Sequence, residues 1–129
     1  MPDVKMHTVL IIDDDPLLRT LISRFLKDAE NVRLVGSAET GTLGLALVKE
    51  HQPDIVILDI QLPDVDPASM TGQVKNISPR SRVYLCSAYS DERVEATVKQ
   101  VHADGFVSKT NLKNSLNEMV HKEKGKAPA

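Results

Sequence analysis

Short runs of branched apolar residues alternate along this chain with longer stretches in which apolar residues recur every three or four positions. Two of the short runs, Val9-Leu10-Ile11-Ile12 and Ile55-Val56-Ile57-Leu58, are continuous rather than alternating. That is the pattern of strands covered on both faces. Thr8 to Ile12 is the first predicted strand, and Asp15 then caps a helix with Pro16 at its first position. In that helix Leu17, Leu18, Leu21, Ile22, Phe25 and Leu26 fall at helical spacing. Val32 to Ala38 is the second strand. Thr40 to His51 is the second helix, with Leu43, Ala46 and Leu47 expected to face inward and with Gly41 and Gly44 weakening it. Pro53 ends that helix before a third strand, Asp54 to Leu58.

A loop with Pro63 and Pro67 leads to a poorer helix carrying Met70, Val74 and Ile77, closed by Pro79. Arg82 to Cys86 is the fourth strand. Ser90 is expected to cap the fourth helix, with Asp91 and Glu92 in its positive first turn and Val94, Val98 and Val101 on one face. Gly105 to Ser108 is a short fifth strand. Asn111 is expected to cap the last helix, with Leu112, Leu116, Met119 and Val120 inward. The tail beyond Val120, with Lys122, Lys124, Gly125, Lys126 and Pro128, reads as disordered. The repeated strand–helix order implies a parallel sheet with helices on both faces.

At 129 residues the chain fits one domain with a full core. A formal net charge of -2 gives no overall electrostatic case for nucleic acid or an anionic membrane. No apolar run approaches the roughly 20 residues of a membrane span, and the first seven residues lack the apolar stretch of a signal peptide. Cys86 is the single cysteine, so no internal disulfide forms, and its setting is that of a buried small hydrophobe. These features favour a cytoplasmic protein. His7, His51, His102 and His121 are scattered at non-ligand spacing and read as surface residues rather than metal ligands.

The chemistry sits where strands stop. Asp13 and Asp14 follow the first apolar run, Asp59 the third strand, Ser87 and Ala88 the fourth, and Lys109 the fifth. In an open parallel sheet, ligands bind beyond the carboxyl ends of the strands. Two carboxylates about 4 Å apart repel by about 4 kcal/mol at an effective dielectric near 20, and three together push at least one carboxyl pKa upward. A divalent, oxygen-loving cation removes that conflict, and Mg²⁺ favours one or two carboxylates with waters and phosphate oxygens. A carboxylate can also attack phosphorus to give an acyl phosphate, whose charge Mg²⁺, Lys109 and the Ser87 hydroxyl would offset from three sides. Asp15 has a structural task as helix cap, and Asp64 and Asp66 read as solvated turn formers.

Four stretches carry a resemblance: Leu10-Ile11-Ile12-Asp13-Asp14-Asp15-Pro16, Leu58-Asp59-Ile60-Gln61-Leu62-Pro63, Leu85-Cys86-Ser87-Ala88, and Ala103-Asp104-Gly105-Phe106-Val107-Ser108-Lys109. Each alone is weak; in order, at four strand ends, they are specific. From about Thr8 to Val120 the chain resembles the response-regulator receiver domain of two-component signalling. The resemblance implies a flavodoxin-like, doubly wound, five-stranded parallel sheet in the order 2-1-3-4-5. It implies a receiver domain over residues 8–121, with an N-terminal tail at 1–7 and a flexible C-terminal tail at 122–129. By the same resemblance Asp59 is the phosphoacceptor. Asp13, Asp14, Asp59 and the backbone carbonyl of Gln61 hold Mg²⁺ or Mn²⁺, Lys109 binds the phosphoryl group, Ser87 senses it, and Phe106 is the aromatic switch. Tyr89 is an alternative packing partner over the same site.

The implied phosphodonor is a sensor histidine kinase or a phosphotransfer protein, and the implied switching surface runs over helix four, strand five and helix five. Gly105 to Lys109 resembles regulators with a C-terminal DNA-binding domain. That favours an output domain beyond residue 129 over a single-domain regulator acting by protein contact. Direct nucleic-acid or membrane binding by this chain is not expected, and a phosphorylation-dependent dimer stays open. Two positions depart from the family pattern: Pro67 stands where glycine is common, and Thr110 follows Lys109 where a cis-bonded proline is common. Three rival readings remain. Asp13-x-Asp15 is similar to the start of haloacid-dehalogenase phosphatases, although Leu17 stands where that motif wants Thr or Val and its late acidic pair is absent. A receiver-shaped interaction module that is never phosphorylated is the second. A flavin or nucleotide carrier is the third, with neither G-x-G-x-x-G nor a P-loop to support it.

Overall fold

The structure, a computed structural model, describes residues 6–88 and 92–126. Five strands, β1 (His7–Ile12), β2 (Val32–Ala38), β3 (Ile55–Asp59), β4 (Arg82–Ser87) and β5 (Gly105–Ser108), alternate with α1 (Pro16–Asp28), α2 (Gly41–His51), α3 (Pro67–Ile77), α4 (Glu92–Val101) and α5 (Leu112–Lys124). The strands form one parallel sheet in the order β2-β1-β3-β4-β5, the flavodoxin-like winding. The register places Asp59 beside Cys86 and Ser87 beside Ser108. Between β1 and β2 it shifts at Val9/Leu10, so Val35 is an extra residue on the edge strand.

The continuous apolar runs are explained by two cores, one on each face. Val9, Ile11, Ile55, Ile57 and Cys86 meet Leu18, Ile22 and Leu26 of α1 and Leu116 and Met119 of α5. Leu10, Ile12, Val56, Leu58 and Leu85 meet Val48 of α2 and Met70 and Val74 of α3. Since successive strand residues point to opposite faces, each needs an apolar partner, and none can be polar until the strand ends. Among the described residues no helix is long and apolar enough to cross a membrane.

The helix starts follow local chemistry. Asp15 caps α1 by accepting from Leu17 N–H at 3.0 Å and Leu18 N–H at 3.4 Å, and Pro16 loses nothing at a position whose N–H is unpaired anyway. Thr40 caps α2 and Asp66 caps α3 in the same way. Pro67 is the first residue of α3, a favoured proline site, so the departure from the family pattern falls where a fixed φ suits the helix.

Several expectations are corrected. Leu43 and Ala46 of α2 face solvent, and the inward face is Gly41, Gly44 and Val48 with Leu45 and Leu47 beside it. A Cβ on Gly44 would stand 2.5 Å from Ile12 Cδ1. The glycines that weaken the helix thus let it lie close to the sheet. Leu17 and Leu21 are exposed on α1. Asn111 makes no side-chain cap; a 3-10 turn over Lys109–Asn111 leads into α5 instead. Residues 122–124, expected in the flexible tail, are the last turn of α5. There Glu123 is buried, accepting from Tyr84 Oη–H at 2.6 Å and pairing with Arg82 and, at 3.1 Å, with Lys126. His7, expected in the N-terminal tail and at the surface, begins β1, is buried, and donates through Nε2 to the Lys126 carbonyl at 3.0 Å. Tyr89, Ser90, Asp91 and Pro128 lie outside the described residues, so the expected cap of the fourth helix does too.

Candidate functional site

Asp13 follows the last residue of β1, its N–H donating to the Ala38 carbonyl at 2.9 Å as if the strand continued. Its side chain is buried, and Oδ1 accepts from Asp15 N–H at 2.8 Å. Asp59 is the last residue of β3, buried beside Cys86, with Oδ1 accepting from Gln61 N–H at 2.9 Å. Asp14 is exposed at the rim. The carboxylates of Asp13, Asp14 and Asp59 each bring an oxygen within 4.8 Å of the others. Lys109 leaves the end of β5 and places Nζ 3.1 Å from Asp13 Oδ2 and 3.4 Å from Asp59 Oδ1. It does so with every peptide bond among the described residues trans, Thr110 in place of proline notwithstanding.

Sequence separation explains nothing of this convergence; the sheet order does. β1 and β3 are neighbours, and their matched register brings Ile12 beside Leu58, so the next residues on each strand share one rim. β4 adds Ser87, which is fully buried at its end. Phe106, near the start of β5, is partly buried against the core shared by α2 and α3. Gln61 is exposed on the loop after β3.

The charges in this rim are not at ordinary poise. Burial raises the Asp59 pKa above the usual carboxylate value, with the nearby Asp13 charge adding to it; the Gln61 N–H and Lys109 act against the shift without cancelling it. Burial also works against the charge on Lys109, but the carboxylates of Asp13 and Asp59 outweigh it and hold the ammonium's pKa above its usual value. Cys86, between them, is pushed up to about 12 by burial and is no thiolate.

The donor set suits a hard divalent cation. All candidate ligand atoms are oxygens, and Asp14 leaves one side open to water and phosphate oxygens. Asp13 Oδ2 is buried, and its one recorded contact is the ion pair with Lys109 Nζ at 3.1 Å. A buried carboxylate oxygen with no further partner has lone pairs left that a second cation would satisfy.

Two neighbours of the site escape a reading by spacing. Arg19 on α1 donates from Nη1 to the Asp13 carbonyl at 2.6 Å. The signal was a cation in a helix's first turn, where the macrodipole disfavours it unless an anion is near. Asp64, expected to be solvated, accepts from Gly41 N–H at 3.0 Å and from Thr42 N–H at 3.2 Å, and these bonds hold its pKa below the usual value, the Gly41 bond foremost. Asp15 spends its side chain on capping α1, which removes the second acid that a dehalogenase-like site would use.

Comparison with known proteins gives the family and the fold. A family model for the response regulator receiver domain matches residues 9–121. The chain belongs to that family. It is 31% identical over 119 residues to the probable transcriptional regulatory protein NarL of Mycobacterium tuberculosis, covering 92% of this chain and 55% of that protein. It is 29% identical to the chemotaxis protein CheY of Bacillus subtilis, covering 90% of this chain and 96% of CheY. The chain therefore spans about half the length of the NarL relative and nearly all of CheY. Among solved structures, the signal receiver domain of the M. tuberculosis NarL superposes with a TM-score of 0.82 at 30% identity, covering 94% of this chain and 98% of that one. The isolated REC domain of RcsB from Salmonella enterica, solved with the phosphomimetic BeF3-, reaches 0.85 at 19% identity over 97% of this chain and 93% of that one, a likeness of fold alone.

Proposed function

We propose that this receiver domain takes a phosphoryl group on Asp59 from a phosphohistidine of a sensor histidine kinase or phosphotransfer protein. The observation that carries this reading is the placement of Lys109 Nζ between the buried carboxylates of Asp13 and Asp59. In the transfer, a carboxylate oxygen of Asp59 forms the new O–P bond, the P–N bond breaks, and the leaving imidazole takes up a proton. Asp13, Asp14, Asp59 and the Gln61 carbonyl would hold Mg²⁺ or Mn²⁺, which would supply positive charge to offset that of the phosphoryl group. Lys109 is a fixed point charge between Asp13 and Asp59, and the Ser87 hydroxyl is a neutral donor at the end of β4. The added dianion draws Ser87 toward it, β4 shifts, and Phe106 turns inward. Charge gained at one rim then biases the surface made by α4, β5 and α5. The same site assists hydrolysis of the acyl phosphate, so the signal decays. This reading assigns the chain to the cytoplasm and its output to a protein partner or an attached domain, with a phosphorylation-dependent dimer as one form of response.

Labelling with a small-molecule phosphodonor such as radiolabelled acetyl phosphate tests it. Wild type is expected to take up label only with Mg²⁺, in a hydroxylamine-labile bond mapped to Asp59. Asp59→Asn is expected to take up none. Equal labelling of that variant, or label mapped to Asp13, overturns the assignment, and absence of Mg²⁺-dependent beryllofluoride binding favours the unphosphorylated module.

A further inference from the structure

We propose that Asp64 is a positioning residue, whose carboxylate ties the loop between β3 and α3 to the start of α2 and so holds the Gln61 carbonyl in place for the cation. The inference rests on the metal site proposed above.

The loop covers residues 60–66 and has no regular structure of its own. Near β3 it is held by Ile60 N–H donating to the Cys86 carbonyl at 3.1 Å and by the Gln61 N–H bond to Asp59. At its far end Asp66 caps α3. In between, Leu62 is buried, but Gln61, Pro63 and Asp64 face solvent. The tie across this exposed stretch is Asp64. Its Oδ1 accepts from Gly41 N–H at 3.0 Å, and its Oδ2 from Thr42 N–H at 3.2 Å and Thr42 Oγ1 at 3.3 Å. The seat is shaped for the loop. A Cβ on Gly41 would lie 2.6 Å from Val65 Cγ2 and 3.3 Å from Asp64 Oδ1, so only glycine admits this close approach.

The helix already has its own cap, because Thr40 Oγ1 accepts from Leu43 N–H at 3.1 Å. A second acceptor brought from more than twenty residues away adds little that α2 requires. What it adds is a fixed position for the loop that carries Gln61. Residues that orient ligands in this way change metal affinity by roughly 10–100-fold when lost. A tie at the surface, three residues from the ligand, belongs at the lower end.

The experiment measures the Mg²⁺ dissociation constant of the full chain by calorimetry, with amide exchange of Gln61 and Leu62 followed without metal. Asp64→Ala is expected to weaken Mg²⁺ binding about tenfold and to speed exchange of both amides. Thr40→Ala, which uncaps the same helix without touching the loop, is expected to leave both unchanged. Asp64→Asn keeps an acceptor for Gly41 N–H and drops the charge, and is expected to recover most of the lost affinity. The proposal is overturned if Asp64→Ala binds Mg²⁺ like wild type, if Thr40→Ala weakens binding equally, or if Asp64→Asn is as weak as alanine, which would trace the effect to charge. Asp13→Asn separates the two levels. If it too binds Mg²⁺ like wild type, the metal-site reading falls and this inference with it; if it fails to bind while Asp64→Ala binds normally, only the positioning role falls.

Discussion

Replacing Asp59 with asparagine should stabilise the protein in EDTA and remove its response to Mg²⁺. The ligand oxygens of Asp13, Asp14 and Asp59 lie within 4.8 Å of one another. At that separation the buried Asp13 and Asp59 repel by about 3.5 kcal/mol at an effective dielectric near 20, while the exposed Asp14 adds about 1 kcal/mol in a water-like dielectric. Lys109 Nζ, 3.4 Å from Asp59 Oδ1, returns about 5 kcal/mol on the same scale. These Coulomb contributions nearly cancel, so desolvation decides. Keeping an ionised carboxylate out of water costs several kcal/mol, and the single Gln61 N–H bond offsets about 1.5–3 kcal/mol of it. The raised pKa of Asp59, due first to burial, carries the same sign. Asparagine keeps an acceptor for Gln61 N–H and sheds the charge. The variant is therefore expected to gain about 1–2 kcal/mol in EDTA near pH 7.

Because the folded pKa lies above the unfolded value of 3.8, wild type carries no such penalty below that pH and acquires it as the pH rises through the folded value. The gap between variant and wild type should open with rising pH. Mg²⁺ at ten times its dissociation constant should stabilise wild type by about 1.4 kcal/mol and the variant far less. Urea unfolding followed by far-ultraviolet circular dichroism, with EDTA and with Mg²⁺, measures all four states. A variant less stable than wild type in EDTA, or one that gains as much from Mg²⁺, refutes the reasoning.

Glu123→Ala removes a buried carboxylate from Arg82 and Tyr84 and should cost about 3 kcal/mol, or about 10 °C in Tm, with the half-exposed Lys126 adding little. Hydrogen bonds from Tyr84, Arg82 and Lys126 outweigh burial and hold the Glu123 pKa below 4.5, so its contribution is full above pH 4.5 and fades as the pH falls through the folded value; an equal wild-type advantage over Glu123→Gln well below that range counts against it. Gly44→Ala sets a Cβ 2.5 Å from Ile12 Cδ1 and 2.8 Å from its Cγ1, and thermal melts should show a net loss of about 1–2 kcal/mol despite alanine's better helix propensity. Cys86, buried and pushed up to about 12, should resist a disulfide reagent at pH 8 in the native state and react fully in urea; fast native labelling contradicts the placement.

By itself, the order of residues determined the alternation of parallel strands with helices and which side chains stand at the strand ends. Short continuous branched runs bounded by turn residues read as strands with two covered faces, and the first acids after Ile12 and Leu58 had to emerge at the same edge once both strands ran parallel. Leu18, Ile22 and Leu26 were legible as a face because helical period is a local property. What remained was decided by approach and depth. Gly41 and Gly44 look like weak points in a helix until Val65 and Ile12 are seen against them. Glu123 continues the spacing of Leu116 and Met119, yet a carboxylate on that stripe reads as the start of a tail until Arg82 and Tyr84, more than thirty residues away, supply its partners. Asp64 reads as a solvated turn residue until the start of α2 comes within hydrogen-bond reach. Period and strand ends are properties of a segment. A close contact, or a polar group made tolerable in the interior, belongs to a pair of segments, and only the folded chain brings the two together.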